Sequence, residues 1–267
     1  MQNFLILGAG YTGGRVTRLL TAAGHRVIAT HRTSFDVADA RSVEQFAEQV
    51  PDEVRILHSI PVLKNGHNHT GPTPLLAPIL RKAERIVYLS TTGVYGEHHL
   101  VDERTPAAPR TRRESLRVEE ELAVAAMCSN VLVRRPAAIY GPHRGVHVSL
   151  RNGSHKVWGD GSNYISRIHV DDLAALCVAA LHQDLTGAFP VADEHPCTSW
   201  EITEFCAAIV GVEPPRPSGV LPPSDTRSAN RRVDGSAVRR ALGVSLRYPS
   251  YREGVPAAIA EENANRE

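Results

Sequence analysis

Gly8, Gly10 and Gly13, within Gly8-Ala9-Gly10-Tyr11-Thr12-Gly13-Gly14, follow an apolar run and precede the periodic Val16, Leu19 and Leu20. Each glycine answers a different demand. Gly8 allows a sharp turn out of a strand, Gly10 keeps the backbone free of Cβ where a phosphate approaches, and Gly13 lets a helix pack closely on the strand. The helix start then presents its N–H groups and positive dipole end to an anion. This is binding chemistry for a dinucleotide pyrophosphate, with Tyr11 and Thr12 as further loop contacts. Hydroxyl chemistry lies elsewhere, in Ser90-Thr91-Thr92 at the end of a strand, where an oxygen can hydrogen-bond a substrate carbonyl or hydroxyl. An equally open reading makes Thr91 a cap or a core-facing strand residue. Thirteen histidines invite a metal reading, but His67/His69 and His98/His99 lack a helix face bearing further ligands, and no metal is expected.

The elements that must position these residues alternate. Strands are predicted at Asn3–Leu7, Arg26–Thr30, Val54–His58, Arg85–Ser90 and Val131–Arg134, and helices at Thr12–Ala23, Ser42–Gln49, Pro74–Ala83 and Arg113–Met127. A helix follows from Val170 to about Leu181, then a strand over Ala188–Val191. The alternation predicts an α/β fold of Rossmann type, a doubly wound parallel sheet with a small C-terminal substrate lobe. The Pro- and Gly-rich stretch Gly211–Pro223 predicts no regular element.

At 267 residues and 42% hydrophobic content the chain has material for a full core. Its net charge of +1, from 30 basic and 29 acidic residues scattered along the chain, argues against a nucleic-acid partner. Cys128, Cys177, Cys197 and Cys206 never fall at CxxC spacing, which favours a reducing cytoplasm over a disulfide or zinc framework. No run approaches the roughly 18 apolar residues that a membrane span needs, and no signal peptide is evident. A soluble, cytoplasmic protein is expected.

Five segments in order, GAGYTGG, LSTTGVYGE (Leu89–Glu97), VDERTPAAP (Val101–Pro109), RRPAAIYGPHRG (Arg134–Gly145) and SRIHVDDLA (Ser166–Ala174), make the chain resemble the extended short-chain dehydrogenase/reductase family of NAD(P)-dependent epimerases, dehydratases and reductases. The resemblance covers residues 1–182 and returns at Tyr248–Gly254. It implies a nicotinamide cofactor in the N-terminal sheet, with a small substrate, often a nucleotide-linked sugar, in the C-terminal lobe. The corresponding division is 1–142 plus 167–195 for the cofactor domain and 143–166 plus 196–267 for the lobe. A homodimer through helices including Arg113–Met127 is a further implication.

Cofactor choice is argued from charge. An NAD enzyme usually ends its second strand with a carboxylate for the ribose hydroxyls, but here the strand ends Ala29-Thr30-His31-Arg32. Arg32, with Thr30 and His31, suits a 2′-phosphate, so NADP is favoured and NAD is the alternative. Asp36-Val37 occupies the place of an Asp-apolar pair that lies along the adenine in similar proteins, Asp36 being otherwise a plain turn residue. His58-Ser59-Ile60-Pro61 follows the path that commonly passes the nicotinamide ribose, which puts Ser59 beside the cofactor.

The reaction side departs from the resemblance. Relatives use a Tyr, with a Lys four residues on, to exchange a proton with substrate and to hold the ribose. Here Arg113 stands at the Tyr place and Arg117 at the Lys place, and no YxxxK exists in the chain. An arginine stays protonated and cannot replace the phenol, although Arg117 can hold a ribose or phosphate. Tyr95 and Tyr140, expected to face the cleft, are the alternative proton donors, Tyr95 the better placed by family geometry. Thr92, Arg144, Asn163, Arg167 and Arg231 or Arg232 fall where relatives gather substrate contacts, or serve as surface and interlobe ion pairs. His169 and Asp171 most simply form the start of a helix. Two functional classes remain: an atypical NAD(P)-dependent oxidoreductase, epimerase or dehydratase, and a catalytically silent NADP(H)-binding sensor or scaffold.

Overall fold

The computed structural model describes residues 2–65, 68–221 and 229–264. Six strands form one sheet, running across it as Gly187–Val191, Val131–Pro136, Ala83–Leu89, Val54–His58, Asn3–Leu7 and Arg26–Ala29, every pairing parallel. The central strands are apolar almost throughout rather than alternating, because helices cover both faces. One face packs Phe4, Ile6, Leu57 and Val87 with Val16 and Leu20 of helix Gly13–Ala22 and Leu173, Leu176 and Ala180 of helix Val170–His182. The other packs Leu5, Leu7, Ile56, Ile86 and Tyr88 with Val43 of helix Ala40–Gln49, Ile79, and Val124 of helix Arg112–Met127.

Winding reverses at Asn3–Leu7, which pairs with Arg26–Ala29 on one side and Val54–His58 on the other. The crevice beyond the carboxyl ends of such neighbouring strands is where ligands bind in open α/β sheets. Gly8 and Ser59 leave the two strands at that point, so the glycine loop sits at the switch by topology as well as by motif.

The expected helix Pro74–Ala83 is reduced to Ala77–Leu80, and the next strand already begins at Ala83. Pro78 has no N–H to return to the carbonyl of Pro74, so the helix cannot begin at Pro74. A separate cluster of Tyr140, Leu150, Ile202, Cys206, Tyr251 and Val255 forms beside the sheet domain, drawing on helices Val146–Arg151, Ser199–Val210 and Tyr251–Ala264. Helix Ser236–Leu242, expected with that lobe, instead lays Val238 and Leu242 on the sheet's own cluster, an i, i+4 pair on one helix face. Among the described residues no helix is long and apolar enough to cross a membrane.

Candidate cofactor and reaction site

The glycine loop is fixed largely by backbone. Gly8 adopts φ +90°, its N–H donates to Thr30 Oγ1 (2.9 Å), and the Ala9 N–H donates to the Thr30 carbonyl (2.8 Å). Ser59 Oγ donates back to the Gly8 carbonyl (2.6 Å), bracing the loop from the neighbouring strand. A Cβ on Gly13 would lie 2.3 Å from the Gly8 carbonyl oxygen, so only glycine lets the helix approach this closely. A Cβ on Gly10 would meet nothing within 4 Å. Space is therefore open in front of the loop. Thr12 precedes the helix without a side-chain cap bond, and the first turn carries no acidic residue. A helix end left with neither cap nor carboxylate fits the diphosphate of a dinucleotide.

Beside the loop, Arg15 pairs with Asp171 (2.7 Å) and Glu261 (3.5 Å), tying the glycine helix to two later helices. His169 caps helix Val170–His182, its Nδ1 accepting from the Asp171 N–H (3.2 Å), and burial pulls its pKa down to about 4. Tyr11 lies between the guanidinium groups of Arg15 (4.8 Å) and Arg144 (5.3 Å) and donates its hydroxyl to the Pro142 carbonyl (2.9 Å). Burial pushes the Tyr11 phenol up to about 12, against the two arginines.

Toward the adenine end, Thr30 is buried and its hydroxyl is committed to the loop, which removes it from the expected set around a 2′-phosphate. Arg32 and His31 are exposed. Asp36 Oδ1 accepts from the Ala38 N–H (2.9 Å), a turn contact, while Val37 packs against the cluster containing Phe35 and Val43.

On the reaction side, Thr111 and Glu114 form a reciprocal capping box that starts helix Arg112–Met127 and sets its rotation. Arg113, at the Tyr place, is exposed. Arg117, at the Lys place, is half-buried and donates to Tyr88 Oη (3.2 Å). Behind it lies a buried group that the sequence did not reveal. Thr73 donates both its N–H (3.0 Å) and its hydroxyl (2.6 Å) to Glu120 Oε2, and His58 Nε2 lies 3.3 Å from Thr73 Oγ1. With its proton given to Glu120, Thr73 accepts from His58, which fixes the His58 tautomer as Nε2–H. Burial, then the nearby Arg117, pulls the His58 pKa down to about 3, while burial raises that of Glu120 against the bonds from Thr73. These residues come from a strand end, a loop and a helix, and only a helical i, i+3 relation between Arg117 and Glu120 offered any signal.

A second buried pair, Arg135 and Glu121 (2.7 Å), also receives the Ser90 hydroxyl (2.5 Å). Thr91 Oγ1 accepts from the Gly93 N–H (3.2 Å), capping the single turn Thr92–Tyr95, with Thr92 buried beneath it. The two tyrosines expected at the cleft point inward. Tyr95 is fully buried with Arg135 over its ring at 5.0 Å; its hydroxyl makes no well-aligned hydrogen bond among the described residues, and burial raises its pKa against the neighbouring Arg135. Tyr140 is 4% exposed, donates to the Ser250 carbonyl (3.1 Å), and is likewise raised by burial. A Cβ at Gly254 would fall 2.1 Å from Tyr140 Oη, so the phenol is wedged against the C-terminal helix rather than open to a ligand.

Of the expected substrate contacts, Asn163 Nδ2 donates to the Ala229 carbonyl (3.0 Å), and Arg167 Nη1 donates to the Ile165 carbonyl (2.6 Å) and to Cys197 Sγ (3.0 Å). Both brace the lobe. Arg231 is buried against the carbonyls of His98 (3.2 Å) and Gly96, whereas Arg232 is exposed over the Tyr164 ring at 4.5 Å. Arg144 belongs to the glycine-loop side. No group of three His, Cys, Asp or Glu suited to a metal occurs among the described residues, which exclude His67.

Residues 4–191 match the model of the NAD dependent epimerase/dehydratase family. A functionally unknown conserved protein from Silicibacter pomeroyi DSS shares the fold at TM-score 0.79 and 28% identity, over 98% of this chain and 99% of that one. The Bordetella bronchiseptica enzyme WbmG, solved in complex with NAD and UDP, does so at 0.79 and 17% over 99% and 96% of the two chains. The UDP-glucose 4-epimerase of Thermotoga maritima, with UDP-glucose, gives 0.78 and 17% over the whole of both. A curated relative, the 3-diazoavenalumate denitrifying reductase of a Streptomyces species, is 27% identical over 169 residues, 58% of this chain. The matched region spans only 55% of that reductase's length.

Proposed function

The chain belongs to the NAD dependent epimerase/dehydratase family, and from that premise we propose that it binds NADP and carries out hydride chemistry on a sugar-like or other small hydroxyl or carbonyl compound, nucleotide-linked sugars included. The observation that carries this reading is the open space before Gly10 at an uncapped helix end, on a loop held by Gly8, Ser59 and Gly13. NADP is preferred to NAD because Arg32 is exposed and no carboxylate ends the second strand. NAD remains the alternative, as WbmG was solved with it.

In this reading the bound nicotinamide supplies or takes the hydride. Arg117, steadied by Tyr88, holds the nearby ribose or phosphate, and the Thr91 hydroxyl, still able to donate its own proton, orients the substrate oxygen. Arg232 offers an exposed guanidinium to the substrate, whereas Thr92, buried beneath the turn, supports Thr91. The buried Tyr95 and Tyr140 leave proton transfer to a water held by Thr91 or to the substrate itself.

Single-turnover oxidation of bound NADPH or NADH, followed by absorbance with a panel of carbonyl compounds and nucleotide sugars, tests the reading. Turnover that survives Tyr95→Phe and Tyr140→Phe but not Thr91→Ala supports the Thr91-held water. Tight NADP binding with no turnover on any compound favours the second reading, a cofactor-dependent sensor or scaffold, for which the absent Tyr and Lys speak. A homodimer through helix Arg112–Met127, whose Leu122 is 67% exposed, and a cytoplasmic setting, consistent with the free cysteines, complete the proposal.

A further inference from the structure

We propose that Arg144 reaches across the cleft to clamp the diphosphate of the bound dinucleotide, with Tyr11 as its positioning residue; the proposal rests on the cofactor reading above. The turn that carries Arg144 is shaped for this placement. Gly141 and Arg144 exchange backbone hydrogen bonds (2.9 and 3.0 Å), and His143 sits between them in the left-handed region at φ 62°, which a non-glycine residue seldom adopts. Gly141 itself, at φ +150°, has no room for a side chain: a Cβ there would lie 2.7 Å from Val170 and 2.8 Å from Tyr11 Oη. The turn is thus seated directly on Tyr11, which bonds the Pro142 carbonyl with its hydroxyl and offers its ring face to the Arg144 guanidinium.

The two arginines that flank Tyr11 differ in charge balance. Arg15 is neutralised by Asp171 and Glu261. Arg144 is exposed, and no carboxylate of the described residues forms a salt bridge with it. Positions 8–14 contain no Lys or Arg, so the loop itself offers the diphosphate no cationic side chain. A guanidinium held one residue's ring away from that loop is the group suited to take the remaining phosphate oxygens, through a planar fork that a lysine does not provide. Arg144 therefore contributes to cofactor affinity, in place of the substrate contact that its motif suggests, and couples cofactor binding to the position of the second lobe.

Fluorescence titration of the intact protein with NADPH, or NADH if that is the cofactor held, and competition with ADP-ribose, separate the possibilities. Arg144→Ala is expected to weaken the dinucleotide and ADP-ribose alike by about 10- to 100-fold. Arg144→Lys recovers part of the loss, and Tyr11→Leu loses several-fold with Arg144 present. The salt dependence of affinity should flatten in Arg144→Ala, because one charge contact is gone. The melting temperature should stay unchanged, as the side chain is exposed. Wild-type affinity in Arg144→Ala, or a loss with undiminished salt dependence, overturns the clamp. A wild-type protein that binds neither the dinucleotide nor ADP-ribose overturns the cofactor reading beneath it, so the two failures are told apart.

Discussion

The glycine-loop side of the cleft makes its site from backbone, whereas the side facing it draws its polar side chains inward. On the first, Gly8 and Gly13 set the shape, the helix end stays uncapped, and open space remains before Gly10. On the second, Tyr88, Tyr95, Tyr140 and Glu120 are buried, engaged with Arg117, Ser250 and Thr73 or, for Tyr95, left under Arg135. A site built from main-chain geometry persists as long as its few glycines do. One built from a phenol and an ammonium is lost with two substitutions, and the resemblance puts Arg113 and Arg117 in those places.

The contrast is broken most severely at the buried ion pair of the reaction side. Arg135→Met leaves Glu121, 6% exposed, with the Ser90 hydroxyl but without its cation. Removing one partner of a buried pair typically costs about 3–5 kcal/mol, read here as a lower urea midpoint. If stability were unchanged, the inward-drawn polar groups would not be structural. Next, Gly13→Ala forces a Cβ to within 2.3 Å of the Gly8 carbonyl oxygen and should cost about 1–3 kcal/mol together with cofactor binding. Gly10→Ala, into open space, should leave the melting temperature intact while cofactor binding falls at least tenfold. Equal melting losses in the two variants would show that the loop has no open binding face.

These residues also mark what was legible in the sequence. The glycines, the alternating strands and the helix Arg112–Met127 could be read because each depends on local spacing, as the apolar runs of a sheet covered on both faces also do. The orientation of Tyr95 and Tyr140 could not, because it depends on Arg135 and Gly254, distant in sequence and close only after folding. The His58, Thr73 and Glu120 group escaped for the same reason, being assembled from a strand end, a proline-rich loop and a helix. Thr30 turns its hydroxyl to the Gly8 N–H rather than outward, and a threonine at a strand end carries no mark in the sequence of which way its hydroxyl turns.

Arg117 sharpens the comparison, since it belongs to the reaction side yet is assigned to the cofactor. Arg117→Ala is expected to weaken NADPH about tenfold, equivalent to about 1.4 kcal/mol, and Tyr88→Phe by a few-fold as the guanidinium loses its anchor. Unchanged affinity in both, by fluorescence titration, would leave Arg117 a purely structural replacement for the family lysine.

Acid stability should report the inward histidines. His58 is held to about 3 and His169 to about 4, both below the ordinary value of 6.5, so between those values the unfolded chain binds more protons than the folded one. Stability should therefore fall as pH drops from 6.5 toward 4, by about 1 kcal/mol or more. Asp193 acts in the opposite sense: burial raises its carboxyl to about 8 from 3.8, so its contribution is complete below 3.8 and is lost as pH rises through 8. Urea midpoints between pH 4.5 and 8.5 should fall on either side of a maximum near 6.5, and Asp193→Asn should abolish the fall above 6.5 and steepen the one below it, because its window overlaps that of the histidines. A flat profile would mean that these groups are hydrated in the folded protein.

The smallest effect discriminates between the two buried phenols. Tyr140→Phe removes a hydroxyl that donates to the Ser250 carbonyl and leaves that carbonyl with the Gly254 N–H alone, a loss of about 1 kcal/mol. Tyr95→Phe removes a hydroxyl with no well-aligned hydrogen bond among the described residues, and a buried polar group of that kind already carries a desolvation penalty. The ring beneath Arg135 is retained, so Tyr95→Phe should be neutral or stabilising by less than about 1 kcal/mol. A destabilised Tyr95→Phe would mean that the hydroxyl holds a hydrogen bond from Arg135 or through water, and only the second, read as impaired turnover, would restore Tyr95 as a group in touch with the cleft. Equal melting temperatures with unimpaired turnover would confine it to packing and leave the reaction side without a phenol.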